Sequence, residues 1–442
     1  MIDFILIIVL IVFIWLAYHK LLWGLGGIIM LLPSYLWRFD ILGLPTTFLE
    51  LMIVAVFLIW LLKEKKYKQI NFSLSANSYN LLPKTFRYLL SLWLLVSLLA
   101  LLTNYTWANL GLWRVYFLEP AMFFLVFIYT VKDSKDWKLI IDSFIVLLGW
   151  LFVVAMYQNL TDWNYIRAYN FPNIKRLTGP FSYPNALSLL SAPLTAFFTG
   201  LWIYSKGKIA NWPYLVVAVF GITLAIMTVS QGAIVAIALS IFLALIASLA
   251  SSSRRVAKRI RKWGMALIII LALIGVSVIL PTINFNPTLN LQSSSLDIRF
   301  NQWQETGALL ADNFLLGTGL GGYQTALTNY HQTAWLEIYL YPHNIFLNFW
   351  VELGLLGLVI FMALIIYIIY LLKDIFKSKN DLAWPLTMMW CTWLVHGLVD
   401  VPYFKNDLSV LFFIMLAFTL NPSRPPLDRG GANPPVRGDL GG

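Results

Sequence analysis

The composition of this 442-residue chain excludes a soluble protein, because 60% of its residues are hydrophobic and only 12% are charged. A typical globular chain carries about 25% charged residues, so a surface this poor in charge needs lipid around it. The net charge of +11 is spread over loops without an interleaved base-stacking pattern, which argues against nucleic-acid binding. A single cysteine excludes an intramolecular disulfide, and four scattered histidines argue against a histidine-rich metal site.

Apolar runs of transmembrane length follow one another along the chain. A helix needs roughly 20 apolar residues to cross the bilayer, and the runs lack the two-residue alternation of a membrane barrel. In chain order they predict spans at 2–19, 21–37, 41–62, 86–103, 109–131, 139–157, 186–204, 213–230, 232–249, 264–281, 345–372, 382–400 and 407–421. The first run has no basic region or small-residue cleavage site, so it is predicted to be a retained helix. We therefore predict an all-α polytopic membrane protein with about 12 to 13 transmembrane helices.

Lysine and arginine are concentrated in alternate loops, which indicates the orientation. The basic loops lie at 63–68, 132–138, 206–208, 254–262 and 373–379, and the positive-inside rule puts them in the cytoplasm. The opposite side then holds one large loop, 282–344. We predict a single transmembrane domain over 1–421, followed by a disordered cytoplasmic tail at 422–442 that is rich in proline, glycine and arginine.

The second longest external segment, 158–185, is basic although it lies outside. It carries Arg167, Lys175 and Arg176 against one acid, Asp162. Either these side chains bind an anion, or the positive-inside tendency fails for this one loop.

The large external loop opens with a predicted helix. Ser294 and Asp297 fit a capping box, and a helix from about residue 295 to 310 would follow it. Arg299 and Trp303, four residues apart, would share one face of that helix. Arg299 is either a structural cation, paired with Asp297, Glu305 or an aromatic ring, or a bidentate clamp for a phosphate group.

A glycine-rich stretch at 317–323 contains the letters of a dinucleotide-binding fingerprint. No strand or βαβ unit surrounds it, and it lies outside the cytoplasm, so that interpretation is rejected. The glycines instead predict a tight turn that lets the backbone approach the membrane or a ligand.

Polar residues mark the end of the large loop and the span after it. Asn344, Asn348 and Glu352 are spaced as a polar stripe down one face of an apolar helix. His343 lies at the boundary of that span, where an imidazole can accept a proton at neutral pH. It is a structural histidine or a general base, and the stripe together with Arg299 favours the second interpretation.

Two further groups of polar residues lie within or at the ends of predicted spans. His396 and Asp400, four residues apart, could meet on one helix face, most simply as a structural hydrogen bond. Arg114 and Glu119 lie inside the fifth span, where charges must find partners or line a groove for a lipid phosphate.

Three short motifs resemble the O-antigen ligase and O-antigen polymerase superfamily of bacterial membrane glycosyltransferases. They are RLTGPF at 176–181 followed by PNA at 184–186, Arg299 and Trp303 followed by NFLLGTG at 313–319, and His343 with Asn344 followed by ELG at 352–354 and Gly357. Their order, and the topology of about a dozen helices with one long external loop, fit the family over roughly residues 90–420.

The resemblance implies a metal-independent enzyme without a cofactor, in a bacterial cytoplasmic membrane with its active loop outside. It would transfer a glycan from undecaprenyl pyrophosphate to a hydroxyl of a glycan, lipid or protein acceptor. By this resemblance His343 would be the general base, Arg299 and Arg176 would neutralise the leaving group, and further substrate contacts would come from Lys175, Arg167, Trp303, Asn344, Glu352 and Arg114. One departure is Gln231, where the family often has arginine, a contact that Lys175 or Arg167 could replace.

Two other classes of function remain open from the residues alone. A transporter or flippase for a polysaccharide precursor would place ionisable groups at mid-membrane near broken helices, with duplicated halves. A membrane scaffold would give Arg299 and His343 no reason to occur together. Within the transferases, sequence does not separate a ligase from a polymerase, because both use the same donor and leaving group.

Overall fold

In a computed structural model, the described residues are 2–41, 44–63, 82–168, 171–204, 211–249, 295–332 and 337–421. The helices are α1 Ile2–His19, α2 Leu21–Met30, α3 Phe48–Lys63, α4 Lys84–Thr103, α5 Trp107–Trp113, α6 Glu119–Thr130, α7 Ser134–Thr161, α8 Pro184–Tyr204, α9 Trp212–Met227, α10 Gln231–Leu249, α11 Ser295–Asp312, α12 Tyr323–Leu327, α13 Ile345–Lys377, α14 Ala383–Gly397 and α15 Asn406–Leu420. A 3₁₀ turn covers Leu32–Leu36, and a π turn at Arg114–Leu118 joins α5 to α6.

The helices confirm the predicted all-α polytopic membrane fold. Within the described residues, five helical segments are long and apolar enough to cross a bilayer: α4, the segment from α5 through α6, α7, α8 and α13. Shorter apolar helices at α1, α2, α9, α10 and α15 accompany them. The predicted span 264–281, the basic cluster 254–262 and the tail 422–442 lie outside the described residues.

Two predicted spans begin or end differently in the structure. The span predicted at 21–37 is helical only to Met30, and Pro33 lies in the 3₁₀ turn that follows, because a proline cannot donate the next helical hydrogen bond. The span predicted at 41–62 begins as a hairpin of β1 Arg38–Ile41 and β2 Leu44–Thr47, and its helix starts at Phe48.

A second hairpin lies in the basic segment 158–185. Strands β3 Ile166–Ala168 and β4 Phe171–Arg176 pair antiparallel, with Arg167 opposite Lys175. The hairpin carries the chain from the end of α7 to α8, which places Arg176 at the last position of a strand rather than in an irregular loop.

Aromatic packing holds the centre of the bundle together. The ring of Trp93 on α4 contacts Phe349 on α13, with centroids 5.0 Å apart, and Phe412 on α15, in a stacked pair at 6.3 Å. Tyr403, in the loop before α15, meets both Trp93 and Phe349. This cluster fixes the N-terminal end of α13 against the α14–α15 loop, the two segments that carry the candidate site.

Arg114 and Glu119, the charged residues predicted inside the fifth span, form ion pairs within the protein. Arg114 Nε lies 2.8 Å from Glu119 Oε1, and the same guanidinium pairs with Glu50 on α3. It also donates to the carbonyl of Pro45 at 3.1 Å. The π turn therefore holds its arginine in a buried ion-pair network between helices, as a charge at membrane depth requires.

The glycine-rich turn packs against a break in α13. Gly354 adopts φ +70° in the middle of that helix, and Leu355 N donates to Leu315 O at 3.0 Å. Gly317, with φ +63°, brings the chain so close that a Cβ there would lie 2.4 Å from Val351 O. The predicted tight turn is confirmed, and the backbone that it approaches is the re-entering helix.

Candidate functional site

His343 and Asp400 form the centre of a polar cluster at the N-terminal end of α13. His343 Nδ1 lies 3.2 Å from Asp400 Oδ1. The histidine precedes the first turn of α13 and has φ +48°, a left-handed conformation that non-glycine residues seldom adopt. A residue keeps such a strained backbone only where its surroundings hold it there. In this conformation the ring of His343 points toward the loop after α14.

Asp400 is fully buried, and its two carboxylate oxygens have different partners. Oδ1 accepts from Val401 N at 2.9 Å besides the histidine contact, and Oδ2 accepts from Asn185 Nδ2 at 3.0 Å. Burial by itself raises the pKa of this carboxyl. The hydrogen bond from His343 and the positive charge of Arg299 nearby outweigh burial, so the pKa lies below its usual range. Asp400 is thus a fixed negative charge beside the histidine.

Asn185 links Asp400 to the first arginine of the cluster. Its Oδ1 accepts from Arg176 Nη2 at 2.9 Å, while Arg176 Nε donates to the carbonyl of Thr228 at 2.9 Å. Burial, and then the positive charge of Arg299, lower the pKa of the Arg176 guanidinium. The site therefore brings two guanidinium groups within electrostatic reach of each other.

Arg299 on α11 is the second arginine. Its Nε donates to Val399 O at 2.7 Å, and Nη1 donates to Ser295 O at 3.0 Å and to the Ser295 hydroxyl. Burial lowers the pKa of this guanidinium, although Asp400 partly opposes the effect. Glu305, one of its predicted structural partners, instead contacts His331 and Gln332 N, each at 3.0 Å.

Two side chains of α11 hold the segment before His343 in place. Trp303 Nε1 donates to Pro342 O at 2.8 Å, and Gln302 Nε2 donates to Tyr341 O at 2.8 Å. Trp303, predicted as a substrate contact, thus has a structural bond that positions the histidine. The predicted helix at 295–310 is confirmed and extends to Asp312, while Ser294 lies outside the described residues.

The predicted polar stripe on α13 is wrong for Asn344, which lies outside the helix, whereas Asn348 and Glu352 are buried in it, four residues apart. Asn344 precedes the helix as its N-cap, accepting from Phe346 N and Leu347 N and donating to Leu398 O. Glu352 accepts from Gly321 N at 2.5 Å, so it holds the glycine turn. Spacing alone could not show these bonds, because they form with an unwound cap and with a distant loop.

The predicted meeting of His396 and Asp400 on one helix face is also wrong. α14 ends at Gly397, so Asp400 lies in the loop and its partner is 57 residues away in sequence rather than four. His396 is buried, and among the described residues its Nδ1 has no hydrogen-bond partner. Its ring lies against Gly232, where a Cβ would be 3.0 Å from Cδ2.

The other residues that were predicted to contact substrate form their bonds with groups outside this cluster. Lys175 pairs with Asp162 and lies 5.2 Å from the ring centroid of Tyr165. Arg114 is held by Glu50 and Glu119, as described above. For Arg167 the structure describes the backbone in β3. Their roles in substrate binding stay predictions.

Sequence reasoning missed Lys405 and the contact between Tyr183 and Tyr341. The two tyrosine hydroxyls lie 3.2 Å apart, and the rings of Tyr341 and His343 meet edge-on at 5.3 Å. Lys405 Nζ lies 4.4 Å from the centroid of Tyr183. The available signal was a lone lysine in the loop between two apolar helices.

Comparison with known proteins agrees with the motifs. Residues 216–362 match the family model described as O-antigen ligase, and this stretch contains Arg299 and His343. No curated protein matches the chain. The match supports glycosyl transfer in O-antigen assembly by a multi-pass bacterial membrane protein. The match over residues 216–362 confirms the predicted resemblance to the O-antigen ligase and polymerase superfamily.

Proposed function

We propose that this protein transfers a glycan from undecaprenyl pyrophosphate to an acceptor hydroxyl, on the extracytoplasmic face of the bacterial cytoplasmic membrane. The observation that carries the proposal is the contact of His343 with the ionised Asp400, next to two partly buried arginines. A sugar pyrophosphate is an activated donor, so one base, positioning and cations for the departing charge supply the needed chemistry without a metal.

His343 is the proposed general base. Its Nδ1 faces Asp400, which favours the tautomer with the proton on Nδ1 and leaves Nε2 to accept a proton. The acceptor hydroxyl gives its proton to Nε2 as its oxygen bonds to the anomeric carbon. Asp400 then stabilises the imidazolium that forms, as the carboxylate does in other acid–histidine pairs.

Arg176 and Arg299 are the proposed leaving-group residues. As the bond between the anomeric carbon and the phosphate oxygen breaks, its electron pair leaves with the pyrophosphate. The positive charge of Arg299 acts on Arg176, and an anion bound by both would relieve that repulsion. Guanidinium also matches phosphate geometry bidentately, so the arginines can position the donor as well as neutralise it.

The test is the length distribution of lipid-linked glycans in cells lacking the protein and complemented with variants. His343→Gln and Arg299→Met are expected to abolish transfer, by at least about 100-fold, with normal membrane insertion. Accumulation of long lipid-linked chains would identify a ligase, and accumulation of single repeat units would identify a polymerase.

The matched control is His331→Gln, a histidine of the same loop that pairs with Glu305 rather than with Asp400. It should retain transfer. An unchanged lipid-linked pool in the deletion strain, with flux through the pathway demonstrated, would contradict the transferase and favour a transporter or a scaffold. Near-wild-type transfer by both variants would overturn the residue assignments.

A further inference from the structure

A second cation lies near the candidate base, in a different setting from the arginine pair. Lys405 Nζ is surrounded by three aromatic rings, with centroids of Tyr183, Phe181 and Tyr35 at 4.4, 5.5 and 5.7 Å. All three distances lie within the range of cation–π attraction. We call Lys405 with these three rings the Lys405 centre.

The ammonium of the Lys405 centre is positioned without being neutralised by contact. Among the residues that the structure describes, no carboxylate lies within ion-pair distance of Nζ, and no hydrogen-bond acceptor is bonded to it. Asp407 acts on it only as a charge in its vicinity. Aromatic faces orient an ammonium but leave its N–H donors free, so this cation is available to an anion.

The Lys405 centre has different contacts from the arginine pair but is connected to the candidate base. Lys405 lies against three aromatic rings, whereas the arginines bond to Asn185 and to the Thr228 and Val399 carbonyls. Tyr183 of the centre contacts Tyr341 through their hydroxyls, and Tyr341 packs edge-on against His343. A group held at Lys405 would therefore be linked to the histidine through different side chains from a group held by the arginines.

The surroundings of the Lys405 centre indicate an amphiphilic anion. Arg38, exposed on β1, acts electrostatically on both Tyr35 and Tyr116 and adds a second positive charge. The chain on either side of Tyr35 borders an apolar groove of about 230 Å³, lined by Ile5, Leu6, Val9, Leu31 and Trp37. Cations beside a chain segment that borders an apolar groove complement a phosphate carried on a lipid chain.

We propose that the Lys405 centre is a second anion-binding site, which takes the phosphate of a lipid-linked acceptor while the arginine pair holds the donor. The inference rests on the proposed function, since only a transfer between two substrates needs two such sites. It deepens that function by assigning the acceptor to the class of lipid-linked glycans rather than proteins.

The test counts lipids bound to the purified full chain by native mass spectrometry, with undecaprenyl pyrophosphate as the probe. Wild-type protein should bind two molecules, and Lys405→Met should keep one, with binding at the lost site at least tenfold weaker. Arg176→Met should lose the other. Lys405→Arg should keep two, which separates loss of charge from misfolding.

The matched control is Lys63→Met, because Lys63 also lies over a tyrosine, 4.3 Å from the ring centroid of Tyr18, but at the far end of α3. It should bind two molecules. The inference would be overturned if wild-type protein bound one lipid molecule and Lys405→Met bound it equally well. Lys405-dependent binding of undecaprenol would also overturn it, as would equal competition by inorganic phosphate, which would indicate a free-anion site. If wild-type protein binds one molecule, and Lys405→Met loses it whereas Arg176→Met keeps it, the proposed donor site fails while the Lys405 centre stands.

Discussion

At the scale of single residues, the central relationship is that Asp400 orients His343. The carboxylate is buried, held by Asn185 and Val401 N, and kept ionised by its neighbours. A carboxylate fixed in this way determines which imidazole nitrogen is free, and that choice decides whether the ring can act as a base.

Asp400→Asn should therefore reduce transfer strongly while the chain still folds. An amide in that place no longer stabilises an imidazolium and permits the wrong tautomer, so the expected loss is about 10³–10⁴-fold in kcat. The measurement is transfer in membranes, with thermal stability followed in parallel. Asp142→Asn, an exposed acid paired with Lys138, is the control and should be neutral. Activity within tenfold of wild type for Asp400→Asn would contradict the orienting role.

The sequence identified His343, Arg299 and Arg176 because each belongs to a short motif. It could not identify the partner of His343, since helical spacing favoured His396 for Asp400 and only folding brings residues 343 and 400 together. Lys405 has no motif around it, and its aromatic neighbours come from two distant segments, one with Tyr35 and one with Phe181 and Tyr183. The sequence thus indicated which residues are candidates for the site, but not which residues from distant segments they contact.

At the scale of elements, α13 works as two helices joined at Gly354. The break admits the glycine turn, and Thr318 N donates to Val351 O at 2.7 Å, satisfying a carbonyl beside the break. In a membrane such irregular backbone is tolerated only where other protein groups satisfy it. The sequence predicted the span and the turn, but not that the turn forms hydrogen bonds with the backbone beside the break in the span.

Gly354→Ala should destabilise the protein. The residue has φ +70°, and a Cβ there would lie 2.4 Å from Leu315 O, so strain and a steric clash add. The expected cost is about 2–4 kcal/mol, seen as a lower midpoint of thermal unfolding in detergent. Gly149→Ala in α7, where a Cβ would meet nothing within 4 Å, should leave the midpoint unchanged. Equal midpoints for the two variants would mean that the break is not needed for stability.

At the scale of the whole molecule, the orientation in the membrane remains a prediction from charge. The large loop carries the candidate base, and the far end of α13 carries Lys373 and Lys377, so the rule puts the site outside. At about 1.5 Å per residue, the 33 residues of α13 are long enough to separate the two ends by a full bilayer.

The single cysteine makes this orientation easy to test. In a Cys391→Ser background, Glu337→Cys should react with an impermeant maleimide in intact cells, because the loop is external. Lys377→Cys, exposed at the end of α13, should react only after permeabilisation. The reverse pattern would put the histidine in the cytoplasm and exclude transfer on the outer face.

The proposed leaving-group role of Arg176 and Arg299 has a consequence for turnover. A pyrophosphate that loses its sugar gains a negative charge, so in this reaction the spent carrier would bind the two guanidinium groups better than the loaded donor did. The same attraction that assists bond cleavage would then delay departure of the product. Catalytic cycling would then be paced by escape of the spent lipid rather than by formation of the glycosidic bond.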